Sequence, residues 1–289
     1  MGINSIVSQG VGTTSVAKDT TTNKNKVVAH VAKSTLAQTD KVQLSKTAKA
    51  PPPKPQSIKQ LEELAVKYNV TIPEGEKIDK YQTDIVKAIV TTKAQEYNIP
   101  LAIALGVSGH ESGWKMWKNV SKESLQNCRN KDDEGNVIST DWGVMQINDK
   151  SHSHVFPKAK KNIEANVDYG LRYLSGQYKT YHGSLGMGFG DWDMAIASYN
   201  LGSRPRTVEK VTMGKIYIHK VRVQAKSLGL INTYEVKKGD TLGIIAKNEL
   251  GNSKLWPEIY ELNKPKIDGI ENLKIGTILE LPNPNKSEL

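Results

Sequence analysis

The rhythm of hydrophobic and polar positions changes more than once along the chain. Residues 1–57 show no sustained period and contain no aromatic side chain. They close on Pro51-Pro52-Pro53-Lys54-Pro55. A Thr/Ser/Lys-rich stretch of this kind buries too little apolar surface to offset its chain entropy, and consecutive prolines are stiff and extended. Residues 1–57 are therefore expected to be a disordered basic tail with a Pro-rich hinge. From residue 58 a helical period begins, with Ile58, Leu61, Leu64 and Ala65 on one face. A stronger one covers 81–97, where Ile85, Ala88, Ile89 and Thr92 recur. Pro100 suits the first turn of a helix, because its missing N–H has no partner there anyway. The helix that follows, 101 to about 109, is apolar nearly all round, which predicts burial. Residues 127–136 read as a loop or hairpin, and 144–147 as a short apolar run. Helices are expected at 163–181 and 192–199.

Beyond residue 232 the period shifts again. Residues 233–236 alternate as a strand does, 237–240 read as a turn, and short helices are expected over 242–250 and 256–262. Residues 278–281 close the segment as a second strand before Pro282. This β-α-α-β unit has about fifty residues, near the small end of independent stability. The expected fold class is α+β. A mostly helical domain over 58–232, with its motif core at 81–205, precedes the small unit at 233–282, and 283–289 is a tail.

Charge refines this organisation. The chain of 289 residues carries a net +10. Residues 1–57 hold eight Lys against two acids, a net of +6, whereas 233–282 hold seven Lys against eight acids, a net of −1. The middle domain therefore carries about +5. A basic protein seeks polyanions, but no Arg-rich stripe with interleaved aromatics appears, so no nucleic-acid partner is expected. No run approaches the roughly 20 apolar residues of a membrane span, so no integral membrane segment is expected. Cys128 is the single cysteine, which leaves no internal disulfide framework. The start, MGINSIVSQG, has no basic region followed by an apolar one, so an ordinary secretory signal is not expected. Ile6 stands where a myristoylation motif would have Ser or Thr.

Glu111 is the leading candidate for chemistry. It follows the apolar helix and lies beside Gly113 and Trp114. A carboxyl held against apolar groups resists ionisation, and a protonated carboxyl near neutral pH can donate its proton to a glycosidic oxygen. Three segments then occur in order: His110-Glu111-Ser112-Gly113-Trp114, Gly143-Val144-Met145-Gln146-Ile147-Asn148, and Ala197-Ser198-Tyr199-Asn200-Leu201-Gly202. Together they resemble the soluble lytic transglycosylases, peptidoglycan-cleaving enzymes with a lysozyme-like fold. The resemblance covers roughly 81–205. It implies that Glu111 is general acid, then general base, on the bond between N-acetylmuramic acid and N-acetylglucosamine, closing a 1,6-anhydro ring without water. It implies that Ser112 orients Glu111 or meets substrate, and that Met145, Gln146, Tyr199 and Asn200 line the groove.

Residues 139–148, Ser-Thr-Asp-Trp-Gly-Val-Met-Gln-Ile-Asn, also look like a segment of c-type lysozymes that holds a second catalytic carboxylate. Asp141 is the candidate here. Some transglycosylases of secretion systems also carry an Asp at this point. A hydrolytic muramidase using Glu111 and Asp141 is therefore the first alternative. The absent disulfides and the thirty-residue gap from Glu111 to Asp141 favour the transglycosylase. The second alternative is a non-catalytic wall-binding assembly protein.

Residues 233–282 resemble a LysM domain, through Tyr234-Glu235-Val236 with Gly239-Asp240-Thr241-Leu242, and through Leu262-Asn263-Lys264-Pro265 and Leu279-Glu280-Leu281-Pro282. This resemblance implies a shallow groove for N-acetylglucosamine-containing glycans. Gly239, Asp240, Thr241 and Leu242 would form one side, and Asn263, Pro265 and Ile267 the other. Thr241 and Asn263 are also good local capping residues. Gly243 departs from the pattern, in which an aromatic residue often follows the Leu. Residues 130–136 faintly resemble a Ca²⁺ loop, and His152 and His154 have no third ligand nearby, so neither a metal nor a cofactor is expected. The expected partner is peptidoglycan, in the cell envelope or outside the cell. Type III or flagellar export, or a phage particle, would serve for delivery.

Overall fold

The structure is a computed structural model that describes residues 53–181, 191–267, 269–270 and 273–286. Most of the expected tail at 1–57, and the end of the one at 283–289, lie outside these residues. The first helix, α1 (Gln56–Lys67), starts two residues before the expected boundary. Ser57 already belongs to the domain: it is buried, and its hydroxyl donates to the Val120 carbonyl at 2.6 Å.

Helix α2 (Gln82–Glu96) follows a 3₁₀ turn, and α3 (Leu101–Ser112) follows Pro100. Pro100 caps α3 instead of opening its first turn. The helix is also longer than expected, so Glu111 lies within its last turn. Gly113, at φ 63°, ends α3 in the left-handed conformation that a residue without Cβ adopts freely. As its composition predicts, α3 is buried from Ala102 to Gly109 and forms the axis of the domain.

A small β region comes next. Strands β1 (Trp117–Asn119) and β2 (Ser124–Leu125) pair with each other. Strands β3 (Asn127–Lys131), β4 (Val137–Trp142) and β5 (Ile147–Asn148) form an antiparallel sheet in that order. The stretch read as a loop or hairpin is the β3–β4 hairpin. The chain then returns to helix: α4 (Phe156–Lys161), α5 (Ile163–Tyr181), α6 (Asp191–Leu201) and α7 (Val208–Ser227).

Helix α7 was not expected, although Gly214, Tyr217, Ile218, Val221 and Ala225 are its buried residues and fall at helical spacing. It packs tightly on α3. A Cβ on Gly106 would lie 2.7 Å from the Val221 carbonyl oxygen, so the bare backbone at Gly106 sets how deeply α7 can sit. Leu105, Ile89, Leu171, Leu174 and Ile196, from four helices of this domain, are at most 1% exposed and fill its core.

The last unit is β6 (Ile231–Glu235), α8 (Leu242–Leu250), α9 (Trp256–Asn263) and β7 (Ile278–Pro282), the expected β-α-α-β order. The strands pair antiparallel, with Tyr234 opposite Leu279. Ile245, Ile259 and Leu279 form its separate core at 0% exposure.

Candidate active site

Glu111 and Asp141 line one cleft of about 650 Å³, between the last turn of α3, the β3–β5 sheet, the middle of α5 and the end of α6. The two carboxyls reach it by different routes. Glu111 is carried by a helix that is buried from Ala102 to Gly109. Its carboxyl accepts a hydrogen bond from the Tyr217 hydroxyl of α7. Burial disfavours its charge and raises its pKa from 4.5 to about 7, the Tyr217 hydrogen bond works against that rise, and the nearby Asp141 charge adds to it. A carboxyl raised to about 7 keeps a proton to give near neutral pH.

Asp141 stands on β4, opposite Asn148 of β5 and Cys128 of β3. Residues opposite one another on antiparallel strands share a face. Asn148 Nδ2 donates to Asp141 Oδ1 at 2.7 Å, and Asn130 Nδ2 donates to Oδ2 at 3.0 Å. Each amide also reaches Ser139 Oγ, at 3.0 and 3.1 Å. Both oxygens of Asp141 are thus held by neutral donors.

Aromatic rings line the cleft beyond the carboxyls. The Tyr199 hydroxyl donates to the Met145 carbonyl at 2.7 Å, and its ring lies 5.7 Å from that of Tyr173. Tyr169 stacks near Tyr173, with 11° between the planes, and its hydroxyl is 2.7 Å from His152 Nδ1. Burial lowers the pKa of His152 and raises those of Tyr169 and Tyr173. Apolar ring faces with polar edges suit a pyranose, which has an apolar face and a hydroxylated rim.

The cleft gathers some of the expected residues and not others. Glu111, Asp141, Gln146, Tyr199 and Asn200 line it. Gln146, at φ 46°, turns its amide to the Gly143 carbonyl at 2.7 Å. Met145 is wholly buried and does not line the groove as expected. It offers the cleft only its carbonyl, the acceptor for Tyr199. Ser112 does not orient Glu111. Its hydroxyl donates to the Ser108 carbonyl and accepts from Lys115 N–H, closing the end of α3. Tyr217, the direct partner of Glu111, was not among the expected residues.

In the C-terminal unit, Gly239, Thr241 and Pro265 are exposed and Asp240 is partly so. The Asp240 carboxylate accepts from Tyr234 OH and Lys237 N–H, and Thr241 Oγ1 caps α8. Leu242 and Ile267 belong to the hydrophobic core, at 3% and 8% exposure. Asn263 is 0% exposed, and its amide is consumed by the Ile259 carbonyl and by both backbone groups of Glu280. These three residues hold the unit together and present no side chain to a groove.

In the β3–β4 turn the Asp132 carboxylate accepts from Glu134 and Asn136. Among the described residues no group of three or more His, Cys, Asp or Glu side chains could hold a metal ion.

Residues 88–216 match the family model of the transglycosylase SLT domain, and 234–282 match that of the LysM domain. Over 49 residues the chain is 41% identical to the potassium binding protein Kbp of Escherichia coli O6:H1, strain CFT073. That stretch is 17% of this chain and 33% of the relative, so the chain spans about a third of the length of this curated protein. The SLT match stops one residue short of Tyr217.

Proposed function

From a chain that carries an SLT transglycosylase domain followed by a LysM domain, we propose a peptidoglycan lytic transglycosylase that cuts the β-1,4 bond between N-acetylmuramic acid and N-acetylglucosamine. The pair of domains supports a peptidoglycan-binding function of lytic transglycosylase type and fits an envelope or secreted location. No described helix is long and apolar enough to cross a membrane. The observation that carries the finer reading is the Glu111 carboxyl, partly buried in the cleft beside Tyr217, where desolvation raises its pKa to about 7.

In the proposed reaction, protonated Glu111 gives its proton to the glycosidic oxygen. The C1–O bond breaks, and positive charge develops at C1 of the muramic sugar. Glu111, now a carboxylate, takes the proton of the sugar's C6 hydroxyl, and O6 closes on C1. The product is a 1,6-anhydro ring, and Glu111 recovers its proton. Tyr217 supports the first half. Its hydrogen bond favours the carboxylate, which makes Glu111 a readier proton donor and steadies the anion left after the transfer. Tyr199 and Gln146 would bound the sugar, and the exposed Gly239, Thr241 and Pro265, with Asp240, remain the glycan-facing residues of the LysM domain. Its retention on the wall would raise the local concentration of substrate.

One observation favours a second reading, hydrolysis by water. The two asparagine amides on Asp141 hold a carboxylate ready to stabilise the cation or trap it. Mass spectrometry of muropeptides released from purified peptidoglycan separates the two. Anhydro ends, about 18–20 Da lighter than reduced products and inert to borohydride, support the transglycosylase. Reducible ends, lost in Asp141→Asn, support the hydrolase. Release that survives Glu111→Gln refutes both. For delivery we propose an export route through a secretion, flagellar or phage-particle apparatus, tested by fusing residues 1–57 to a reporter.

A further inference from the structure

The LysM domain is joined to the catalytic domain without a spacer. Helix α7 ends at Ser227, β6 begins at Ile231, and Leu230 and Ile231 are buried in the catalytic core. Asn283, just past β7, closes the junction by donating from Nδ2 to the Gly229 carbonyl at 2.7 Å and from its N–H to that of Leu230 at 2.9 Å.

An ion cluster occupies the seam. Arg222 of α7 meets Asp193 of α6 at 2.7 Å and Glu280 of β7 at 2.6 Å. Glu280 also meets Lys226 at 3.0 Å and Lys266 at 3.4 Å. Beside it, Lys264 of the LysM domain reaches Asp191 of α6 at 2.8 Å. The side chains of Asp193 and Glu280 are 8% and 7% exposed. Charges so deep persist only when answered, and removing one partner leaves another uncompensated.

The helices that make this seam also reach the site: α6 carries Tyr199, which lines the cleft, and α7 carries Tyr217, which donates to Glu111. Tyr217 and Arg222 are five residues apart, about 140° around a helix. Helix α7 therefore shows one side to Glu111 and another to the LysM domain, while Val221 lies against the bare backbone of Gly106. A helix packed this closely transmits displacement instead of absorbing it.

We infer that Arg222 and Glu280 are positioning residues for the cleft, and that the LysM domain, docked through them, holds α7 where the Tyr217 hydroxyl reaches Glu111. The bearing on turnover rests on the proposed role of Glu111; the mechanical link does not.

The test follows the Glu111 carboxyl itself, by ¹³C NMR titration of the full chain, its signal assigned by loss in Glu111→Gln. Two groups act on that carboxyl, Tyr217 from α7 and Asp141 from β4, and its charge in turn acts on Tyr199 of α6. Glu280→Gln keeps the shape of the side chain and removes its charge. A loosened Tyr217 hydrogen bond then moves the Glu111 midpoint upward from about 7, by about half a pH unit. In a Tyr217→Phe background the same change moves it no further. Lys226→Ala, at a side chain 42% exposed, removes a peripheral partner of Glu280, keeps the fold, and shifts the midpoint in the same direction by less. The inference is overturned if neither variant moves the midpoint, or if each moves it equally with and without the Tyr217 hydroxyl. Muropeptide release by the same samples keeps the two readings apart. Coupled titration without any release defeats the proposed reaction and leaves the inference standing, whereas release with uncoupled titration defeats the inference alone.

Discussion

Replacing Glu111 with Gln should stabilise the protein and abolish cleavage, and the stabilisation should depend on pH. The carboxyl titrates near 4.5 in an unfolded chain and near 7 in the fold, because burial penalises its charge. Below pH 4.5 both states hold the proton, and Glu111 contributes nothing to the difference. Between pH 4.5 and 7 the unfolded chain sheds its proton while the fold keeps it. Wild-type stability then falls by about 1.36 kcal/mol per pH unit. Above pH 7 both states are ionised and the deficit stays constant at about 3 kcal/mol. The Gln variant has no charge to bury, and its amide oxygen can still accept from Tyr217. Urea unfolding of the two full-length proteins at pH 4, 6 and 8 checks this. Aside from a pH-independent offset, the variant should match wild type at pH 4 and exceed it by up to about 3 kcal/mol at pH 8. A difference that is flat across pH, or that reverses, would refute the claim that Glu111 is held protonated by burial.

Tyr217→Phe removes a hydroxyl that favours the carboxylate, so the alkaline limb of muropeptide release should move up by about one pH unit, as expected for loss of one charge-assisted hydrogen bond; a pH–rate profile measures it. Gly170→Ala places a Cβ 2.5 Å from Met145 Cβ and 2.6 Å from its Cγ. It should cost about 1–3 kcal/mol in thermal unfolding, and reduce release by shifting the carbonyl that holds Tyr199. Asn263→Ala strips three hydrogen bonds from buried backbone groups. It should destabilise the LysM domain by about 3 kcal/mol, seen as faster amide exchange at Ile259 and Glu280.

Much of the fold was legible because it rests on local periodicity. The burial of α3, the span of α5, and the β-α-α-β order of the last unit each follow from apolar spacing within one window. Glu111, Asp141, Gln146, Tyr199 and Asn200 were legible as a set for another reason: ordered motifs near one another in sequence carry a family's cleft. Helix α7 repeats the same apolar spacing but bears no motif, so nothing local singles out Tyr217. Tyr217 meets Glu111 across 106 residues, and no local window reports such a contact. Ser112 shows the converse error. Adjacent to Glu111 in sequence, it points to the end of its own helix, because neighbouring residues on a helix face different directions.

Asparagine makes the underlying reason plain, since one residue type does three different things in this chain. Asn166 is wholly buried, accepts from Met145 N–H, and donates to the Trp142 and Ala159 carbonyls, so it braces the chain that carries Asp141 and Gln146. Asn263 is buried as deeply and ties α9 to β7 far from the cleft. Asn130 and Asn148 are only partly buried and turn the same amide on a carboxylate. A buried amide must satisfy its donors and acceptor with backbone, which makes it a structural tie whatever motif surrounds it. An amide at a cleft wall can leave capacity for a charged neighbour or a ligand. Burial, set by contacts distant in sequence, therefore decides which asparagines serve the site, and it settles Asn263, readable in sequence both as a groove residue and as a local cap, as a tie within the core.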